Sequence, residues 1–228
     1  VSKPTQPERR ERRITAAEAS SVEMRDVQGS APTLTGYAAV YYKPGESGSR
    51  YMLAEDCEER ILPGAFDRAL RERQDIRGLF NHDANQVLGR TTSGTMSLVT
   101  DARGLRYDIS PPDTGPGRDV VTVVRRRDVT GSSFAFCARK DTITIEPRNG
   151  RPYYIRTIED VDLFDVGPVT FPAYEGTDAG ARAAIVARAV GGDPAAEAER
   201  IRQAAGEDHA AAAARRARTI AIASRPVR

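Results

Sequence analysis

The stretch from Gly131 to Phe171 limits the possible folds more than any other part of the chain. It holds four segments rich in β-branched and aromatic residues, GSSFAFCAR, TITIEP, PYYIRTI and DVDLFDVGPVTF, separated by Asp, Asn, Gly and Pro. That composition suits half-buried strands and interrupts helices, so the stretch predicts four consecutive strands. Upstream, TLTGYAAVYY ending at Tyr42 reads as another strand, and IRGLFNH ending at His82 as a further one. Met96–Val99 and Leu105–Ile109 flank a turn-forming Asp101–Gly104 and predict a hairpin. Two helices interrupt the strands. One follows the Pro63–Gly64 break, with Phe66 and Leu70 at i,i+4; the other begins at Arg118, with Val120, Val121 and Val124 on one face. The expected class is α+β, mainly β.

Both ends differ from this middle. Residues 1–18, VSKPTQPERRERRITAAE, are polar and basic with almost no large apolar groups, so a mobile arm is expected. Residues 181–228 are rich in alanine and arginine and helix-prone, with Asp193 before Pro194 as a helix start. That leaves 19–180 as the folded domain. A chain of 228 residues, 39% hydrophobic and 29% charged, holds one such core plus tails.

A net charge of +2, with both signs interspersed, argues against nucleic acid as the partner. Cys57 and Cys137 lack metal-type spacing, which points to free thiols in a reducing compartment and to no metal or other cofactor. No apolar run approaches the roughly 20 residues that span a bilayer, so no membrane association is expected.

The chain has two histidines, and His209 falls in the alanine-rich tail. His82, in NHD at the end of a predicted strand, is therefore the candidate general base. A serine hydroxyl needs such a base to become a nucleophile. In GSSFAFCAR, alternation puts Phe134 and Phe136 on one face and Ser133, Ala135 and Cys137 on the other, so Ser133 sits among small residues while Ser132 points with the rings to the core. Small residues on a strand also pack under helices, and the pattern alone leaves that reading open. For a carboxylate to orient the imidazole, the last segment offers Asp160, Asp162 and Asp165. Period-two reading places Asp165 on a face with Val161 and Leu163, where it needs a partner, and leaves Asp160 and Asp162 as solvated charges.

The blocks ERILPGAFDRAL, LFNHDANQVLGR, GSSFAF and LFDVGPVTFPAY, in that order, resemble the tailed-phage prohead proteases, relatives of the herpesvirus assemblins. The resemblance spans about residues 35–178. It implies a closed or nearly closed β-barrel surrounded by helices, and a serine endopeptidase that cuts the scaffold portion of the major capsid protein inside the assembling prohead, in the host cytoplasm. It places the family's histidine on His82, its serine on Ser133 and its acidic residue on Asp165. The sequence departs from the family's pattern at Ala135, where glycine is common, and at Asp165, where glutamate is common. Homo-oligomerisation and cleavage of the chain's own arm and tail stay open. The competing readings are a non-catalytic scaffold or assembly factor on the same fold, Cys137 as nucleophile, and a serine esterase or amidase, against which the absence of a GxSxG elbow counts.

Overall fold

In the computed structural model of the chain, residues 10–15, 21–26, 31–171 and 179–191 are described. The four expected strands of the middle are two long ones, β10 (Gly131–Arg148) and β11 (Arg151–Val169), paired antiparallel along their whole length. Asn149 and Gly150, both at positive φ, make the two-residue turn that matches strand twist. The expected breakers do not end the strands. Lys140 and Asp141 fall at register shifts in the ladder, and Pro147 faces Pro152 beside the turn. A bulge bends a strand and lets pairing continue, which composition does not reveal.

This hairpin organises one sheet, ordered β1–β10–β11–β5–β4, where β1 is Glu11–Thr15, β4 Tyr51–Ala54 and β5 Cys57–Ile61. The length of β11 lets it hold β5 along Tyr154–Ile158 and β6 (Arg77–Leu79) at Asp165–Val166, both in parallel; β7 (Val87–Arg90) pairs with β6. The second sheet has the order β2–β3–β9–β8, from Glu23–Arg25, Thr33–Val40, Gly104–Ile109 and Met96–Thr100. The expected hairpin is β8–β9. Between the sheets lie Phe134, Phe136, Tyr107, Leu34 and Ile109, all fully buried, with Phe66 edge-on to Phe134.

The hydrogen bonding gives a mainly β molecule but not the closed barrel expected above. At the β3 bulge, Thr15 Oγ1 donates to the Ala38 carbonyl, and the Val40 amide donates to the Tyr51 hydroxyl. Backbone groups that a β1–β3 ladder would need are thus taken by side chains. Single backbone bonds, Val22 to Thr130 and Tyr42 to Ile61, join the two sheets at their corners.

Helices are few. The short α1 (Asp67–Arg71) follows the Pro63–Gly64 break as expected. In α2 (Gly115–Arg125), Thr114 caps the start and Pro116 sits in the first turn, so it begins before Arg118. Its core face is Val120 and Val124 with Val123, while Val121 is half-buried. The third, α3 (Ala179–Val190), seats Ile185 and Val186 on Leu53, Cys57 and Tyr154 as a second small core.

The arm expected over 1–18 is corrected at one place: Glu11–Thr15 is the edge strand of the larger sheet. Arg13, 4% exposed, explains why a basic segment lies there, because it is paired with the fully buried Glu59. Residues 1–9, 16–18 and 192–228, with Asp193, Pro194 and His209, lie outside the described residues.

Candidate active site

The site is built on the two strands of the long hairpin. Ser133 pairs with Gly167 and Ala135 with Asp165, so these four share one face, while Phe134, Phe136, Val166 and Leu163 share the other. The expected grouping of Asp165 with Val161 and Leu163 is therefore wrong. The ladder passes from Ala135–Asp165 directly to Phe136–Leu163, leaving Phe164 as an extra residue. That single bulge inverts the parity of the strand and puts Asp165 on the serine face.

His82 comes from the β6–β7 connection, one turn beyond the strand end expected for it. Asn81 and His82 both have positive φ, 53° and 58°. Such a conformation costs energy for residues with a Cβ, and here the surroundings hold it. The Asn81 amide donates to the Pro168 carbonyl, its side chain donates to Thr170 Oγ1, and its Oδ1 accepts from the Thr170 amide. Asp83 closes the far side by accepting from Asn85 and Gln86. Gly167 permits the close approach of β6, since a Cβ there would lie 2.0 Å from the Leu79 carbonyl oxygen.

These elements bring the three expected residues together. His82 Nδ1 is hydrogen-bonded to Asp165 Oδ1, and His82 Nε2 lies 2.5 Å from Ser133 Oγ. Ser133 is 0% exposed, and the side chains of His82 and Asp165 are 9% and 4% exposed. With the carboxylate on Nδ1–H, the free lone pair of Nε2 faces the hydroxyl, the arrangement that lets an imidazole take a serine proton. Ser132 faces the core and bonds the Tyr107 hydroxyl at 2.8 Å. Cys137 pairs with Asp162, two positions further along β10 from the Ala135–Asp165 pair.

Asp160 and Asp162 are not the solvated charges expected of them. Arg68 donates to both, and Gln74 and Arg139 also reach Asp162. Burial pushes the Asp162 carboxyl up, but those donors outweigh it and hold the group below its ordinary value. Cys57 is a buried thiol raised to about 12 by burial and by Asp56, so it stays protonated at neutral pH.

The family model of the Caudovirus prohead serine proteases matches residues 18–189. The chain belongs to this family. The match takes in His82, Ser133 and Asp165, and β1 precedes it. Among solved structures, the capsid assembly protease of bacteriophage T4 matches at 12% identity and a TM-score of 0.43, over 72% of this chain and 99% of that one. No curated protein matches the chain in sequence. For this member of the prohead protease family, sequence reasoning missed two supporting residues. Asn81, which anchors the histidine turn, stands next to the motif histidine and could have been singled out; Gln74, whose Oε1 accepts the Leu163 amide beside the bulge, carries no local signal. No helix among the described residues is long and apolar enough to cross a membrane.

Proposed function

We propose that this chain is a serine endopeptidase that cuts the scaffold portion of a phage capsid protein during prohead maturation, with Ser133 as nucleophile, His82 as general base and Asp165 as the carboxylate that orients it. The observation that carries the reading is the continuous hydrogen-bonded line Asp165–His82–Ser133, drawn from elements far apart in sequence within a chain of the prohead protease family.

The chemistry follows from that line. His82 Nε2 takes the Ser133 proton as Oγ adds to a peptide carbonyl, and the same proton passes to the leaving amine when the acyl-enzyme forms. Water, deprotonated in turn by His82, adds to the acyl carbon; the acyl–Oγ bond breaks, His82 returns the proton to Ser133 Oγ, and the new carboxyl end is released. Asp165 keeps Nδ1 protonated before the step and faces the imidazolium during it. A cleft of about 560 Å³, lined by Phe80, Asp83, Val120, Val129, Asp119 and Asp128 and not by the three proposed catalytic residues, lies beside the histidine turn. The setting is the inside of the assembling prohead in the host cytoplasm, where the chain's own arm and tail are further substrates.

The test is co-expression with the capsid protein, comparing the unmutated chain with Ser133→Ala and His82→Ala. Shortened capsid subunits are expected with the unmutated chain alone. Equal shell assembly and no shortening with all three would instead assign a scaffold role, and cleavage of small acyl esters without shortening would assign an esterase.

A further inference from the structure

Resting on the proposed role of Ser133, we infer that β1 is an intramolecular latch: residues 11–15 occupy the strand edge beside the nucleophile, and an extended peptide reaches Ser133 only after they leave.

Three observations carry this. Ser133 is 0% exposed, although an attacking hydroxyl has to come within contact distance of a peptide carbonyl carbon. Its edge neighbour is β1, which pairs antiparallel with β10, Ile14 against Ser133 and Arg13 against Phe134. The Arg13 carbonyl oxygen also accepts a hydrogen bond from Ser133 Oγ, at 2.9 Å. A hydroxyl has one proton and a carbonyl oxygen can only accept. While that proton points to Arg13 it is not aimed at His82 Nε2, 2.5 Å from the same oxygen, and the base cannot take it until the hydroxyl turns back. Seated β1 thus both covers the nucleophile and offers its proton a second acceptor in competition with the base.

The strand is held by charge more than by apolar surface. Arg13 donates to Glu59 and Glu11, and Arg156 donates to the same two carboxylates. Once β1 leaves, Glu59 still has Arg156, so the sheet keeps an ion pair in the vacated place. The β10 edge then offers its free backbone groups to another strand, the mode by which sheets take up extended peptides. A latch of this kind lowers activity by the fraction of time the edge is free.

The test uses the full chain and a fluorophosphonate probe, which phosphonylates an activated serine, with Ser133→Ala as the blank. Ile14→Pro removes an amide of β1, and Arg13→Glu sets a carboxylate against Glu59. Each is expected to speed labelling of Ser133 by about tenfold or more while the domain still melts cooperatively. The unmutated chain supplies a second readout that needs no variant. Hydrogen exchange of the amides in residues 11–15 is expected to rise once Ser133 has been labelled, because a phosphonylated serine and a seated β1 cannot coexist. Equal labelling rates in all folded chains, or unchanged protection of 11–15 in fully labelled protein, would overturn the latch and leave Ser133 as the nucleophile. No labelling of Ser133 in any chain would overturn the nucleophile itself, and the latch with it.

Discussion

Asp165 is buried and spends its Oδ1 on His82 Nδ1, so its role in the proposed reaction is to choose the tautomer. Asp165→Asn separates that role from simple packing, since the two side chains have nearly the same shape. An asparagine that turns its NH₂ toward Nδ1 moves the imidazole proton to Nε2, which then faces Ser133 with a donor. The expected result is a fall in kcat on the order of 10⁴ with KM little changed, read on a peptide spanning the capsid cleavage site. A thermal midpoint close to that of the parent would accompany it. If kcat stayed within a few-fold, the carboxylate would be structural and the proposed triad wrong.

Between elements, one buried charge cluster joins β1, β5, β10, β11 and α3. Glu59 of β5 is fully buried between Arg13 of β1 and Arg156 of β11, while Asp141 of β10 takes Arg156 and, from α3, Arg188. Burial alone would push the Asp141 carboxyl up, yet Arg188 and Arg156 hold it at about 2. Glu59→Gln takes from two buried guanidinium groups the fully buried one of the carboxylates they share, leaving Glu11, and breaking a buried pair from one side typically costs about 3–5 kcal/mol. The urea midpoint should fall accordingly, and a loss under about 1 kcal/mol would mean water replaces the carboxylate there. None of this cluster was legible in the chain. ERRIT looks like part of a solvated basic arm, because a buried arginine shows only when its partner, here 46 positions away, is known. Ser133 and His82 were legible for the opposite reason: scarcity of histidine and the short motif blocks identify them locally. Asp165 was named for a face it does not occupy, since strand parity cannot be counted across an unseen bulge at Phe164. Closure of the barrel was equally hidden, as it turns on whether Ala38 and Val40 bond to a strand or to Thr15 and Tyr51.

The whole molecule is two sheets around one aromatic core, with β1 and α3 attached to the larger sheet at its borders through ion pairs. Arg182 holds Asp56 at the start of α3, and Arg188 holds Asp141 near its end. The hydrogen bond from Arg182 lowers Asp56; for Glu11, burial works upward but Arg156 and Arg13 outweigh it and lower the group. Three carboxylates with folded values below their ordinary ones, 3.8 for aspartate and 4.5 for glutamate, contribute stability that is fully present above those ordinary values. As pH falls through the folded values, down to about 2 for Asp141, the carboxylates take up protons and that contribution is lost. The core between the sheets contains none of these groups, so acid should loosen the borders before the centre. Urea midpoints should stay level from pH 7 to about 5 and decline below about 4. Hydrogen exchange near pH 3 should show the amides of α3 and β1 opening while those of β9 and the β10 amides that face β11 stay protected. A midpoint that rose between pH 5 and 3, or exchange that began in β9, would mean that these ion pairs do not hold the borders. Salt gives an independent check in the same samples: at 1 M ionic strength the Debye length is about 3 Å, so the half-exposed Arg182–Asp56 pair should weaken more than the Arg13–Glu59 pair. The α3 amides should then open ahead of those in β1.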